Sequence, residues 1–544
     1  MDVQGNKLGS RLSVGRFSVA DLNTLEWWSV ERLLVVGLVG IVTMFMFSQL
    51  FGGRKRNLPL GPRGLPIIGN IHQLRNDTMH ITFMQMAEKY GPIMYLKWGS
   101  RGVVVASTAE TAHEFVKVQD LVWAGRQTSM AHDILTNNQM DIAGAPYGPY
   151  WRHLRKICAQ ELFTSKSLES FRFPRAQEFN QMVKSIMDEV QEGKIVQLNL
   201  KLNHLAFNNL TRMMLNKRLF GLDVSAQEEA LNFKEVLFKL LKLSSTIVVG
   251  DFIPWLKWLS IVTGYRRYMK SLKRDIDSML QEFLELKKSG KNMQEQNDGG
   301  PRRQDFVDVL LTQPTENGTG HLSDTSIRCV ILDMLLAGTD TSSNSVEWGI
   351  AALLRHPHCL KKLQAELDEV VGKDKTVTES DIPKLPYLNA FVKELFRLYP
   401  PAPLGISHEC MKDTTLQGYE FVAGTRLYLN IYAIHRDPKW WENPLEFDPE
   451  RFIKNPDISM KGNYFHFIPF GVGRRQCPGI SLAVIFVQLG LARLVQSFEF
   501  SLPDGQDPTT LDMTAKYGVT MPRKTPLKVI CKPRLPKHLY YDTN

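Results

Sequence analysis

The sequence predicts a mainly α-helical protein with small β-sheets. Two patterns carry this expectation. Apolar residues recur every three or four positions over 179–192, 268–288, 324–355, 359–371 and 389–398, the period of a helix with one buried face. Only two short runs, 93–98 and 102–106, have the β-branched and aromatic character of strands, so the sheet they form is minor. Size and composition agree: 544 residues, 43% apolar and 22% charged, suit a globular chain with a sizeable core and exclude disorder as a whole. No Gly/Ser linker divides the chain, and no internal repeat appears.

Taken in order, residues 1–32 form an N-terminal leader. Residues 33–51 are 19 consecutive uncharged positions, long enough for a transmembrane anchor. Arg54, Lys55 and Arg56 follow at once and would hold the C-terminal side in the cytosol, while Trp27 and Trp28 could sit at the opposite interface. A cleaved signal peptide is the rival, but the stretch starts late, runs long and lacks a small-residue cleavage site. Arg11, Ser13, Arg16 and Ser18 leave an organelle-targeting role open for the leader, against which Asp2, Asp21 and Glu26 weigh. Residues 52–70 make a basic, then Pro/Gly-rich hinge, in which Pro59, Pro62 and Pro66 forbid continued helix. The rest, 71–544, is the main body, with a polar inter-helix loop expected over 289–304.

The six cysteines are scattered without a C-x-x-C pair, which argues for reduced thiols. Only Cys477 has a motif around it. It ends the run Phe470-Gly471-Val472-Gly473-Arg474-Arg475-Gln476-Cys477 and is followed by Pro478-Gly479. Three glycines within nine residues let backbone approach a flat macrocycle and turn N–H groups toward one sulfur, which stabilises a thiolate. Arg475 can reach a haem propionate, and Phe470 can shield the sulfur. Alone, the pattern is also that of a Gly-rich turn beside a structural cysteine.

The segment 324–355 follows Ser323, an acceptable N-cap, and ends before Pro357. At 1.5 Å per residue it is about 48 Å long, enough to cross the domain. Gly338, Thr339, Asp340, Thr341 and Ser342 interrupt its apolar run; their hydroxyls can take over carbonyl hydrogen bonds and open a local bulge. Asp340 and Thr341 would supply an acid and a hydroxyl for proton delivery. Glu394 and Arg397, at i and i+3, can pair on one helix face.

The cysteine run resembles the haem-binding signature of the cytochrome P-450 family, with Phe470, Gly473, Arg475, Cys477 and Gly479 in all its fixed positions. Ala337 to Ser342 resembles the family's oxygen-activation motif, Glu394 to Arg397 its Glu-x-x-Arg motif, Phe447 to Phe452 its Pro-Glu-Arg-Phe segment, Trp151 and Arg155 its Trp-x-x-x-Arg, and 59–70 its proline-rich hinge. The resemblance covers about 58–540. It implies a P-450 fold with haem b between a long central helix and the cysteine loop, the iron taking an axial thiolate from Cys477, and a haem-binding monooxygenase domain over 71–544. It further implies that Arg451 joins Glu394 and Arg397 in a buried network holding the cysteine loop, and that Trp151, Arg155 and His408 contact the propionates.

Electrons would come from NADPH through a flavoprotein reductase docking near Arg152, Lys156 and Arg474, with O2 and a small apolar substrate as the other partners. The expected setting is the endoplasmic reticulum membrane, single-pass, with the catalytic body cytosolic. The net charge of +10 fits that surface and an acidic partner; without a compact basic, aromatic-interleaved patch it does not point to nucleic acid. Substrate regions implied by the resemblance are 126–149, 237–254, 332–339, 403–407 and 517–520, largely apolar. Phe207 to Met213, Asp305 to Leu311, and the tail Tyr517 to Pro522 with Pro533 to Pro536 resemble plant in-chain fatty-acid hydroxylases of spore and pollen walls. Flavonoid and phenylpropanoid hydroxylases share many other features. A fatty-acid carboxylate would need an anchor, for which Arg126 is a candidate and equally a structural ion-pair partner. A haem-thiolate isomerase or dehydratase, and a haem sensor or carrier, are the competing classes; the intact Asp340–Thr341 pair argues for the monooxygenase.

Overall fold

The structure, a computed structural model, describes residues 32, 35–37, 39, 40, 43, 56–74, 79–127, 129–219, 236, 239, 248–289, 304–516 and 518–541. All of the leader but residue 32, and most of the expected anchor at 33–51, lie outside these residues; those of the anchor that are described, 35–37, 39, 40 and 43, are helical. The chain separates into two compact units, Met1–Asn57 and Leu58–Asn544. The Pro/Gly-rich stretch from Leu58 belongs to the larger unit, where the Leu60 carbonyl accepts the Tyr95 N–H (3.1 Å) and the Asn70 amide holds the Pro62 carbonyl (2.9 Å).

Helix dominates the larger unit. Its spine is the 32-residue helix Asp324–Arg355, called the central helix below, which starts where Ser323 accepts the Ser326 N–H and stops at His356 before Pro357. The N-terminal half of this helix, Ile327 to Leu335, is buried in one apolar cluster, and the C-terminal half, Val346 to Leu354, in another. The small and polar stretch 337–345 lies at the junction of the two. Leu198–Leu215 packs along one side and Ile480–Ser497 along another. Contact with Leu198–Leu215 is close because residue 338 is glycine: a Cβ there would lie 2.8 Å from Leu210 Cδ1. Among the described residues Ile480–Ser497 is the one helix long and apolar enough to cross a membrane, but it is a buried core helix.

The minor sheet has five strands: β1 (Ile93–Trp98), β2 (Arg101–Ala106), β3 (Gly125–Arg126), β4 (His408–Glu409) and β5 (Arg426–Leu429), ordered β1-β2-β5-β4-β3. The buried run Val103 to Ala106 pairs antiparallel with β1 and parallel with β5. At the far edge β3 and β4 pair Arg126 opposite His408. A short sheet thus delivers two basic side chains to one place.

Candidate functional site

Cys477 sits in a closed loop. Its N–H donates to the Phe470 carbonyl (3.0 Å), a turn over Gly473–Arg475 fills the gap, and Ile480–Ser497 begins three residues later. Gly473 is obligatory twice over: its φ is +75°, and a Cβ would come within 2.5 Å of the Val116 carbonyl. The Phe470 ring packs edge-on against Phe396 at 5.2 Å. Of the six cysteines, five are buried and Cys477 alone is partly accessible, although it lies deep in the protein, so it borders an internal cavity. Burial pushes its thiol pKa up, opposed by the Gly479 N–H and by the charge of Arg155.

The central helix carries the matching wall. Asp333, Ala337, Asp340 and Thr341 stand at i, i+4, i+7 and i+8 and are all at least partly accessible, in a helix whose flanking turns are buried. The polar stretch satisfies itself as expected, with Thr339 Oγ1 donating to Leu335 O (2.7 Å), Thr341 Oγ1 to Ala337 O (2.6 Å) and Ser345 Oγ to Thr341 O (2.7 Å). The expected bulge does not form: the helix stays α throughout, because the back-bonded hydroxyls share carbonyls already in the helical ladder. Asp340 has a partner that was not foreseen. Thr520, on the C-terminal loop, donates its hydroxyl to Asp340 Oδ2. Burial pushes the Asp340 pKa up, while the Thr520 and Asn344 hydrogen bonds pull it back.

Basic groups converge beside the cysteine loop. Arg475 donates Nε to Ala124 O (2.8 Å) and Nη2 to Ala145 O (2.7 Å), and its guanidinium lies 4.4 Å from the centre of the Trp151 ring. Its Nη1 is buried without a partner among the described residues. Burial, eased by Asp141, pulls the Arg475 pKa down to about 10. Trp151 spends its own N–H on Ile142 O (3.0 Å), so it serves the site as a platform for Arg475 and not as a donor. Arg155 grips the loop itself, Nη2 to Gln476 O at 2.5 Å. His408 donates Nδ1–H to Trp123 O (2.9 Å), and burial, then Arg126 and Arg475, hold its pKa well below the usual value.

Arg126 corrects an expectation. It is buried, with Nε on Ala143 O (3.1 Å) and Nη1 on Ile406 O (2.7 Å) and Ser407 O (2.9 Å). Its pKa falls to about 9 through burial and the nearby Arg475. A guanidinium tied to three carbonyls inside a cationic cluster is no pocket-mouth anchor for a fatty acid. This cluster of buried cations, one with an unpaired donor, next to a cavity-facing thiol fits the propionates and iron of haem, which need donors on one side and a sulfur on the other.

Behind the loop lies the carboxylate network. Arg397 forks onto Glu394 (Nε–Oε2 and Nη2–Oε1, both 2.7 Å), and Arg451 adds Nε to Glu394 Oε1 (3.1 Å). Arg397 also holds the carbonyls of His435, Pro444 and Glu446. Sequence reasoning missed His435, which completes the link: Nδ1–H donates to Arg397 O (3.1 Å) and Nε2 accepts the Ile468 N–H (2.9 Å), two residues before Phe470. Burial drops its pKa to about 3, keeping it neutral for both bonds. Its only sequence signal was a histidine directly after the apolar stretch 431–434.

Arg152, Lys156 and Arg474 are all exposed, and Arg474 is also tied to Asp120 (3.1 Å) and the Tyr147 hydroxyl (3.1 Å). Two of the three segments that resembled fatty-acid hydroxylases are packing features. Phe207 to Met213 is buried in Leu198–Leu215, where Arg212 pairs with Glu178 (3.0 Å), and Asp305 with Asp308 forms a capping box on Phe306–Thr312. Of the expected substrate regions, Tyr517 and most of 237–247 lie outside the described residues.

The Cytochrome P450 family profile matches residues 59–529. A flavonoid 3'-monooxygenase of Oryza sativa subsp. japonica is 40% identical, over 89% of this chain and 92% of its own. Cytochrome P450 703A2 of Arabidopsis thaliana is 36% identical, over 92% and 97%. Among solved structures, a zebra fish cytochrome P450 with progesterone superposes with a TM-score of 0.69 at 28% identity, covering 84% of this chain and 99% of that one.

Proposed function

The chain belongs to the cytochrome P450 family of haem monooxygenases, and from that premise we propose that it hydroxylates a medium-chain fatty acid within its chain while anchored to a membrane. The haem supplies activation of O2 with electrons that reach it from NADPH through a reductase, one oxygen atom entering the substrate and the other leaving as water. The observation that carries the working parts is the pairing of the accessible stripe Ala337–Asp340–Thr341 with a cavity-facing Cys477.

In this reading Cys477 is the iron ligand, and Arg475, Arg126 and His408 hold the propionates, with Trp151 beneath Arg475 and Arg155 on the loop. His408 gives up no charge to the cluster, so the two arginines carry it. Gly479 turns its N–H toward the sulfur and Phe470 screens it. Thr341 Oγ1 holds a proton at the cavity wall, and Asp340 Oδ2 passes protons to that wall when Thr520 lets it turn. The anchor is 33–51, with the endoplasmic reticulum membrane as the setting.

The fatty-acid reading rests on the resemblance of 207–213, 305–311 and the tail. A flavonoid is the second reading, favoured by the names of the flavonoid monooxygenases among the relatives. Substrate-induced haem spectra decide between them. A saturated medium-chain acid should displace iron-bound water and be hydroxylated only with NADPH, reductase and O2 present. A response to flavonoids and none to acids would overturn the substrate while leaving the monooxygenase standing.

A further inference from the structure

Asp333 stands two turns before Asp340 on the cavity face of the central helix, partly accessible although deep in the protein. Its Oδ2 accepts two backbone N–H groups, from Ile142 (3.1 Å) and Ala143 (3.0 Å). These belong to the loop that precedes the helix Pro149–Ile157, and each peptide there is held at both ends. The 142–143 peptide gives its N–H to Asp333 and its carbonyl to Trp151 Nε1 (3.0 Å). The next peptide gives its N–H, from Gly144, to Asp141 Oδ2 (3.0 Å) and its carbonyl, from Ala143, to Arg126 Nε (3.1 Å). Asp141 is steadied in turn by His132 Nε2 at 3.2 Å. Two residues on, Ala145 O receives Arg475 Nη2 at 2.7 Å.

A carboxylate on the N–H side and a cation or indole on the carbonyl side align with the peptide dipole, so each bond strengthens its opposite. The loop needs such outside support. Asn137, Asn138 and Gln139 just before it all have left-handed backbone, φ +49°, +60° and +70°, a conformation these residues do not hold by preference.

We propose that Asp333 is a positioning residue for the haem: by fixing the 142–143 peptide it sets the carbonyls against which Trp151 and Arg126 are aimed, and through the Trp151 ring the guanidinium of Arg475. This rests on the reading that Arg126 and Arg475 hold the propionates. In this proposal the carboxylate acts on the haem through two peptides and three side chains.

The test measures haem release from the ferric holoenzyme to excess apomyoglobin, together with the propionate bending band in its resonance Raman spectrum. Asp333→Ser, whose short side chain cannot reach both N–H groups, should release haem severalfold faster and should shift the propionate band. Asp333→Asn keeps an acceptor oxygen in place and should restore both values toward wild type. Arg126→Leu combined with Asp333→Ser should be faster than either single variant but slower than the product of their separate effects, since the two share the branch through Ala143 O and Asp333 keeps a second branch through Trp151. A wild-type release rate and band in Asp333→Ser, or strictly multiplicative rates in the double variant, overturns the proposal. Should Arg126→Leu alone release haem at the wild-type rate, the propionate reading fails instead, and the two failures are told apart.

Discussion

At the scale of single residues, the proposed chemistry rests on one sulfur and one hydroxyl. Cys477→Ser should abolish the long-wavelength Soret band of the reduced CO complex, because an alcohol is a poor electron donor to iron; an unchanged band would exclude Cys477 as the ligand. Thr341→Ala should keep its haem but consume NADPH with less product, since the proton held at Oγ1 is gone, and product per NADPH equal to wild type removes that role. Most of these residues were legible because a local motif surrounds them. Arg126 was left open between a substrate anchor and a structural partner because nothing within a few positions of it reveals Ala143, Ile406 and Ser407 as its carbonyl partners. Thr520 was placed in a substrate region, but its hydrogen bond to Asp340, 180 positions away, was not. Hydrogen bonds to distant backbone leave no local pattern in sequence.

At the scale of elements, the bounds that chemistry punctuates were read well. Ser323 and Pro357 bracket the central helix, and β1 matches its β-branched run residue for residue. Helix starts without a capping side chain were read late, as with Pro386–Leu398, where the expected start was 389 and Pro386 itself occupies the first turn. The Glu394–Arg397–Arg451 network ties the helix Pro386–Leu398 to the cysteine loop through His435. Removing the shared carboxylate strands two guanidinium groups, one of them fully buried, so Glu394→Ala should cost about 3–5 kcal/mol and leave little haem-loaded protein. Normal CO-difference absorbance per mole of that variant would show that the pair is dispensable.

At the scale of the whole molecule, the division at Asn57 suggests that the smaller unit can be removed. A chain lacking 1–57 should keep full haem content and leave the membrane fraction on centrifugation; loss of all haem would make that segment part of the fold. Buried groups make two opposing contributions to stability as pH changes. Burial raises Asp333 to about 7 and Asp305 to about 6, so the stability contributed by their neutral forms is complete below about pH 4 and is lost as pH rises through about 6 to 7. His435 and His80, lowered by burial to about 3 and about 4, act oppositely: their neutral forms favour folding above about pH 6.5, and that gain is lost on acidification. The two pairs act over the same window with opposite signs, so thermal midpoints from pH 4.5 to 8 should be nearly flat in the wild type and should rise with pH in Asp333→Asn, which lacks one of the opposing carboxyls; a flat profile in that variant contradicts this assignment. Two glycines described above also differ in what descent can do with them. Gly338 meets only the methyl of a leucine side chain, so a lineage that enlarges position 338 can compensate by shrinking position 210, and the two should vary together across relatives. Gly473 meets a carbonyl of the main chain in a backbone only glycine adopts freely, so no partner can trade with it. An alignment of distant relatives should find the first position drifting in step with its neighbour, and the second frozen for as long as the loop keeps its shape.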